Sequence, residues 1–103
     1  MNSGRIRLLE QYAKEDPNDP FPPYALALEL FQSNPVRAAE LFSYLMAQHA
    51  DYVPTYYHAA LLARLQSNQT QAENIALRGI EKAKASGDQK AATELRSLLD
   101  END

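Results

Sequence analysis

Apolar residues recur at helical intervals in six stretches of this chain, with polar punctuation between them. Leu8, Leu9, Tyr12 and Ala13 form an i, i+1, i+4, i+5 stripe that the run Asp16-Pro17-Asn18-Asp19-Pro20 stops, predicting a helix over about residues 3 to 15. Pro22 and Pro23 suit the start of a second helix, where the N–H that proline lacks would be unpaired anyway; it runs through Phe31 to a turn at Ser33-Asn34. Asn34 followed by Pro35 reads as the N-cap and first residue of a third helix, which ends near His49. A fourth begins around Pro54 and runs to Gln66-Ser67-Asn68. Either Asn68 or Thr70 caps the fifth, since Thr70-Gln71-Ala72-Glu73 has the form of a capping box. Gly87 ends that helix in the C′ position, and Asp88 caps a sixth carrying Ala91, Ala92, Leu95, Leu98 and Leu99. The tail Asp100 to Asp103 is expected to fray.

Two of these helical pairs echo each other. Pro20 to Ala38 recurs 34 residues later as Pro54 to Ala72, so that Ala25 meets Ala59, Leu28 meets Leu62, Gln32-Ser33-Asn34 meets Gln66-Ser67-Asn68, and Ala38 meets Ala72. A fixed period of this length around a polar turn marks stacked helical hairpins, an architecture that binds rather than catalyses. Ala59, Ala60 and Ala63 in the fourth helix and Ala72, Ala76 and Gly79 in the fifth leave room for a short interaxial distance. Gly inside a helix costs about 1 kcal/mol relative to Ala, so close packing is the expected reason for Gly79.

Composition narrows the chemistry. A chain of 103 residues fits one domain, and at that size about two-thirds of the unfolded surface is buried on folding. With no Cys there is no disulfide, thiolate metal site or Cys nucleophile. The net charge of −4 argues against nucleic acid; the basic group Arg78, Lys82 and Lys84 is interrupted by Glu81 and suits the last turns of a helix, where the dipole favours cations. His49 and His58 have no i, i+4 ligand partner, so no metal site is expected; His49 near a helix end is explained by the same dipole. Gly4, Gly79 and Gly87 are isolated, which excludes a phosphate loop, and no nucleophile elbow occurs. Asn68-Gln69-Thr70 matches a glycosylation acceptor, but turn and cap account for all three residues. Met1 to Leu9 lacks the apolar core of a signal peptide and no segment is apolar enough to span a bilayer, so a cytoplasmic, non-membrane, non-enzymatic protein without cofactors is expected.

The repeated residues resemble the tetratricopeptide repeat family. Counting a repeat from Val53 by that family's pattern puts Tyr56 at the aromatic fourth position, Ala59 and Ala60 at the seventh and eighth, Ala72 at the twentieth and Gly79 at the small twenty-seventh. Counting from Asp19 puts Ala38 at the twentieth position and Phe42 at the aromatic twenty-fourth. The chain departs from the pattern where Pro22 replaces the aromatic, Leu26 and Ala60 the common Gly, Ala76 an aromatic, and Ala50 and Lys84 the late Pro. The resemblance implies an all-α helical-hairpin solenoid: a flanking helix at 3–15, repeats at 19–52 and 53–86, and a capping helix at 88–99. It also implies a concave groove lined by the first helix of each hairpin, here Pro23, Tyr24, Ala27 and Leu30, then Tyr57, His58, Leu61, Arg64 and Leu65. Members that clamp a peptide's C-terminal carboxylate do so with Lys and Asn. Pro23 and Tyr57 stand at the Lys positions, and Tyr24, His58, Ala27 and Leu61 at the Asn positions, so that clamp is missing.

The residues support the same face without the family. The fourth helix carries Tyr56, Ala59, Ala60 and Ala63 on one side and Tyr57, Leu61 and Leu65 at i, i+4, i+8 on another. One side packs its hairpin partner; the other needs a cover, because soluble monomers avoid large apolar patches that serve no interface. The expected function is binding of a protein or peptide segment, with Tyr57 and Leu61 as anchors and Arg64 and His58 as polar selectors. The alternatives are a groove filled by the chain's own sixth helix through Leu95, Leu98 and Leu99, or by a second copy in a homodimer.

Overall fold

The computed structural model describes residues 2–100, which form six α-helices and no strand. These are α1 (Ser3–Glu15), α2 (Phe21–Leu30), α3 (Pro35–Gln48), α4 (Pro54–Leu65), α5 (Gln69–Ala85) and α6 (Gln89–Asp100). The expected fraying concerned Asp100, which closes α6, and 101–103, which lie outside the described residues. The helices divide into two compact units between Tyr52 and Val53, α1 to α3 in the first and α4 to α6 in the second.

Side-chain caps set the helix starts. Asn34 Oδ1 accepts from the Arg37 N–H at 3.3 Å, Asn68 Oδ1 from the Gln71 N–H at 3.2 Å, and Asp88 Oδ1 from the Ala91 N–H at 3.0 Å. Each satisfies a donor that the first helical turn leaves unpaired. Asn68 therefore caps α5, and Thr70 falls inside its first turn. In α2, Pro22 and Pro23 sit in the first turn as their missing N–H groups require.

The helix ends show where the two echoed turns part company. At the end of α5, Gly87 adopts φ +76°, its N–H bonds Lys84 O at 3.1 Å and the Asp88 N–H bonds Ala83 O at 2.8 Å. This is a Schellman termination. α4 ends in the same way on a serine: Ser67 has φ +62°, its N–H bonds Arg64 O at 3.0 Å, and the Asn68 N–H bonds Ala63 O at 2.9 Å. Ser33, in the identical tripeptide, does not adopt this conformation; α2 has already stopped at Leu30, whose carbonyl takes the Asn34 N–H at 2.8 Å. A Cβ disfavours the left-handed region, whereas glycine enters it freely. Ser67→Gly is therefore expected to raise stability by up to about 1 kcal/mol, and Ser33→Gly to give no such gain. Urea melts of the two variants check this; equal shifts would remove strain at Ser67 as the explanation.

In the first unit, Leu9 of α1, Ala25, Leu26, Ala27 and Leu30 of α2, and Ala38, Phe42 and Leu45 of α3 are buried. The Phe31 and Phe42 rings meet edge-on at 6.4 Å, a favoured aromatic geometry. Arg5 pairs with Glu29 at 3.2 Å and Arg37 with Glu10 at 3.4 Å, which tie α1 to α2 and α3 at the surface and contribute at most about 1 kcal/mol each. His49 Nε2 lies 3.1 Å from Pro17 O, a contact in which the ring donates, so this histidine pins the loop after α1 to the end of α3. The apolar stripe of α1 is split. Leu9 is buried, whereas Leu8 and Tyr12 are 46% and 44% exposed.

In the second unit, α4 and α5 approach closely around Gly79. A Cβ there would stand 2.5 Å from Tyr56 Cβ and 2.9 Å from Leu95 Cδ1, so hydrogen is the only substituent the contact admits. α6 packs on both α4 and α5. Its Ala92 joins Val53 and Ala83 in a buried cluster, Leu95 and Leu98 are buried, and Leu99 is partly so.

Candidate partner-binding face

Each expected groove residue has a definite place in its own unit. On α2, Pro23, Ala27 and Leu30 are buried, with Ala27 wholly inaccessible, so they shape the helix packing and offer a ligand little surface. Tyr24 is partly buried and meets Tyr52 edge-on with ring centroids 5.5 Å apart. Burial, then the neighbouring Tyr52, pushes the Tyr24 phenol above its ordinary value, and at neutral pH it stays protonated.

On α4 the division of labour is clean. Tyr56, Ala59, Ala60 and Ala63 are buried, with Arg78 stacked over the Tyr56 ring at 5.9 Å. One and two positions round the helix, Tyr57, His58, Leu61 and Arg64 keep part of their surface exposed, and Leu65 at the end of the stripe is 65% exposed. Tyr57 and His58 rings meet edge-on at 5.3 Å. Desolvation lowers the His58 pKa; hydrogen bonding at the Pro54 backbone and the charge of Glu94 oppose that shift. His58 is thus neutral at pH 7, a donor and acceptor rather than a charge. The face therefore offers an aromatic ring, two leucines and a neutral imidazole beside the guanidinium of Arg64.

Leu65, at the end of the stripe, stays open, while Glu94 of α6 reaches the neighbourhood of His58. Sequence reasoning missed Glu94. It lies beyond the repeated segment, so no internal register indicated which side of α6 faces α4. Among the described residues there is no cluster of three or more His, Asp or Glu able to hold a metal, and no helix is long and apolar enough to cross a membrane.

No family model and no curated protein matches the chain. Solved structures do. A crystal structure of a tetratricopeptide repeat domain protein from Salinibacter ruber is 40% identical over 78% of this chain and 90% of its own, with a TM-score of 0.73. A solution NMR structure of a tetratricopeptide repeat domain protein from the same organism is 38% identical over 84% of this chain and 90% of its own, with a TM-score of 0.77.

The chain belongs to the tetratricopeptide repeat family. Its six helices are the all-α helical-hairpin architecture of that family, and the general class of function is that of a protein-interaction module. Tyr56 of α4 packs directly against Gly79 of α5, its side chain occupying the space that the missing Cβ leaves.

Proposed function

We propose that this tetratricopeptide protein binds a segment of a partner protein on the α4 face formed by Tyr57, Leu61 and Leu65, without catalysis or cofactor, in the cytoplasm. The observation that carries the reading is the open end of that stripe: Leu65 is 65% exposed on a helix whose other side is fully engaged in internal packing. Tyr57 and Leu61 anchor the segment, while His58 and Arg64 select its polar groups. The repeat units are taken as 19–52 and 53–86, with Tyr24 as the α2 counterpart of His58 and with Pro23, Ala27 and Leu30 setting the position of α2 from beneath. Without the Lys and Asn of a carboxylate clamp, recognition rests on apolar side chains within a segment and not on its C-terminal carboxylate.

Leu61→Asp tests this. The partly exposed position tolerates a carboxylate far better in water than under a docked apolar segment, so partner capture from native lysate is expected to fall at least about tenfold while the melting temperature changes little. A large loss of melting temperature in the monomer would show that Leu61 belongs to the core and end the assignment. If light scattering instead finds a dimer that Leu61→Asp dissociates, the face is filled by a second copy.

A further inference from the structure

A second apolar surface lies on the first unit, formed by α1 and the start of α2. Arg5, Leu8, Tyr12 and Glu15 recur at i, i+3, i+7, i+10 and so share one face of α1, with the buried Leu9 at its edge. Beyond the C-terminal end of that face stands Phe21, 53% exposed. With Pro22 these residues line a cleft of about 420 Å³. Three large side chains, each roughly half exposed, gathered at one cleft are more than scattered surface hydrophobics, which need no explanation. α1, which carries Leu8 and Tyr12, already contributes Leu9 to the core.

The charges around the cleft are one-sided. Arg5 is committed to Glu29 at 3.2 Å, which leaves Glu15, Asp16 and Asp19 unmatched on the same lining. Each accepts from a neutral donor: Gln11 Nε2 donates to Glu15 at 2.8 Å, the Asn18 N–H to Asp16 at 3.1 Å, and the Phe21 N–H to Asp19 at 2.9 Å. The last contact fixes Phe21 beside a carboxylate. An apolar cleft with three carboxylates at one end is complementary to an amphipathic segment that carries apolar side chains on one face and Lys or Arg near its end.

We infer that this cleft is a second docking site, distinct from the α4 face, for a basic amphipathic segment of a partner protein. Leu8, Tyr12 and Phe21 take its apolar side chains. Glu15, Asp16 and Asp19 hold its cations and set its direction along α1. Because the carboxylates are exposed, attraction to them is screened by salt, whereas the apolar contacts are not.

The full-length protein and a fluorescein-labelled helical peptide with leucines at i, i+4 and i+7 and lysines at one end test the inference by fluorescence anisotropy. Saturable binding is expected, weakened at least about tenfold by Tyr12→Ala or Phe21→Ala and weakened with rising salt. Glu15→Gln combined with Asp19→Asn is expected to weaken it and flatten the salt dependence, while the amide oxygen introduced in place of the Asp19 carboxylate still accepts the Phe21 N–H and the melting temperature is kept. Leu61→Asp should leave this binding unchanged. Equal affinity for the same peptide with glutamates replacing its lysines would overturn the inference, as would binding that survives Tyr12→Ala and is lost in Leu61→Asp. A concentration-dependent dimer dissociated by Tyr12→Ala would assign the cleft to a second copy and overturn it too.

Discussion

A chain ending at Gly87 is expected to aggregate or oligomerise, and its melting transition to be lost or strongly depressed. α6 packs on α4 and α5 within the second unit: Leu95 is 1% exposed, Leu98 6%, and Ala92 closes a cluster with Val53 and Ala83. Burying a leucine contributes about 1.5 to 3 kcal/mol, so two leucines alone supply about 3 to 6 kcal/mol. A small domain has only about 5 to 15 kcal/mol in total. Removing the helix would also return Val53 and Ala83 to water. Light scattering and circular dichroism on the truncated chain decide the point. A monodisperse folded monomer of unchanged stability would make α6 a dispensable tail and free its leucines for partner contact.

The six helices were legible because local chemistry determines them. Prolines at helix starts, asparagine and aspartate caps and the glycine at position 87 each act within a turn of the chain, and every expected helix is present. The choice between Asn68 and Thr70 needed the internal repeat, whose register favours the asparagine that makes the bond. What the sequence left open is set by packing at a distance. Leu28 and Leu62 occupy equivalent positions in the echo, yet Leu28 is 37% exposed and Leu62 4%. Identical tripeptides end α2 and α4 differently because α2 stops at Leu30, whereas α4 continues to Leu65, the residue aligned with Phe31. The i, i+1, i+4, i+5 stripe of α1 is wide enough to serve two directions, and periodicity alone does not say that Leu9 points inward while Leu8 and Tyr12 remain outside. For the same reason the expected groove residues separate, Pro23, Ala27 and Leu30 buried and Leu65 open.

Gly79→Ala is expected to destabilise the protein by about 1 to 3 kcal/mol, against what helix propensity alone would give. Propensity favours alanine over glycine inside a helix by about 1 kcal/mol. Here the added methyl would stand 2.5 Å from Tyr56 Cβ, an atom fixed to the α4 backbone and unable to swing aside, and 2.9 Å from Leu95 Cδ1. To admit it α5 must move away from α4, loosening the packing of Tyr56, which is wholly buried. The comparison with Gly4 isolates the cause: it is also helical, but a Cβ there meets nothing nearer than Asn2 Oδ1 at 3.6 Å. Gly4→Ala should therefore hold or raise the melting temperature, while Gly79→Ala lowers it by about 4 °C or more. Thermal denaturation of both variants checks the sign. If Gly79→Ala melted at or above the parent temperature, the hairpin would have slack at this contact, and the close approach of α4 and α5 would no longer explain why a glycine sits in the middle of a long helix.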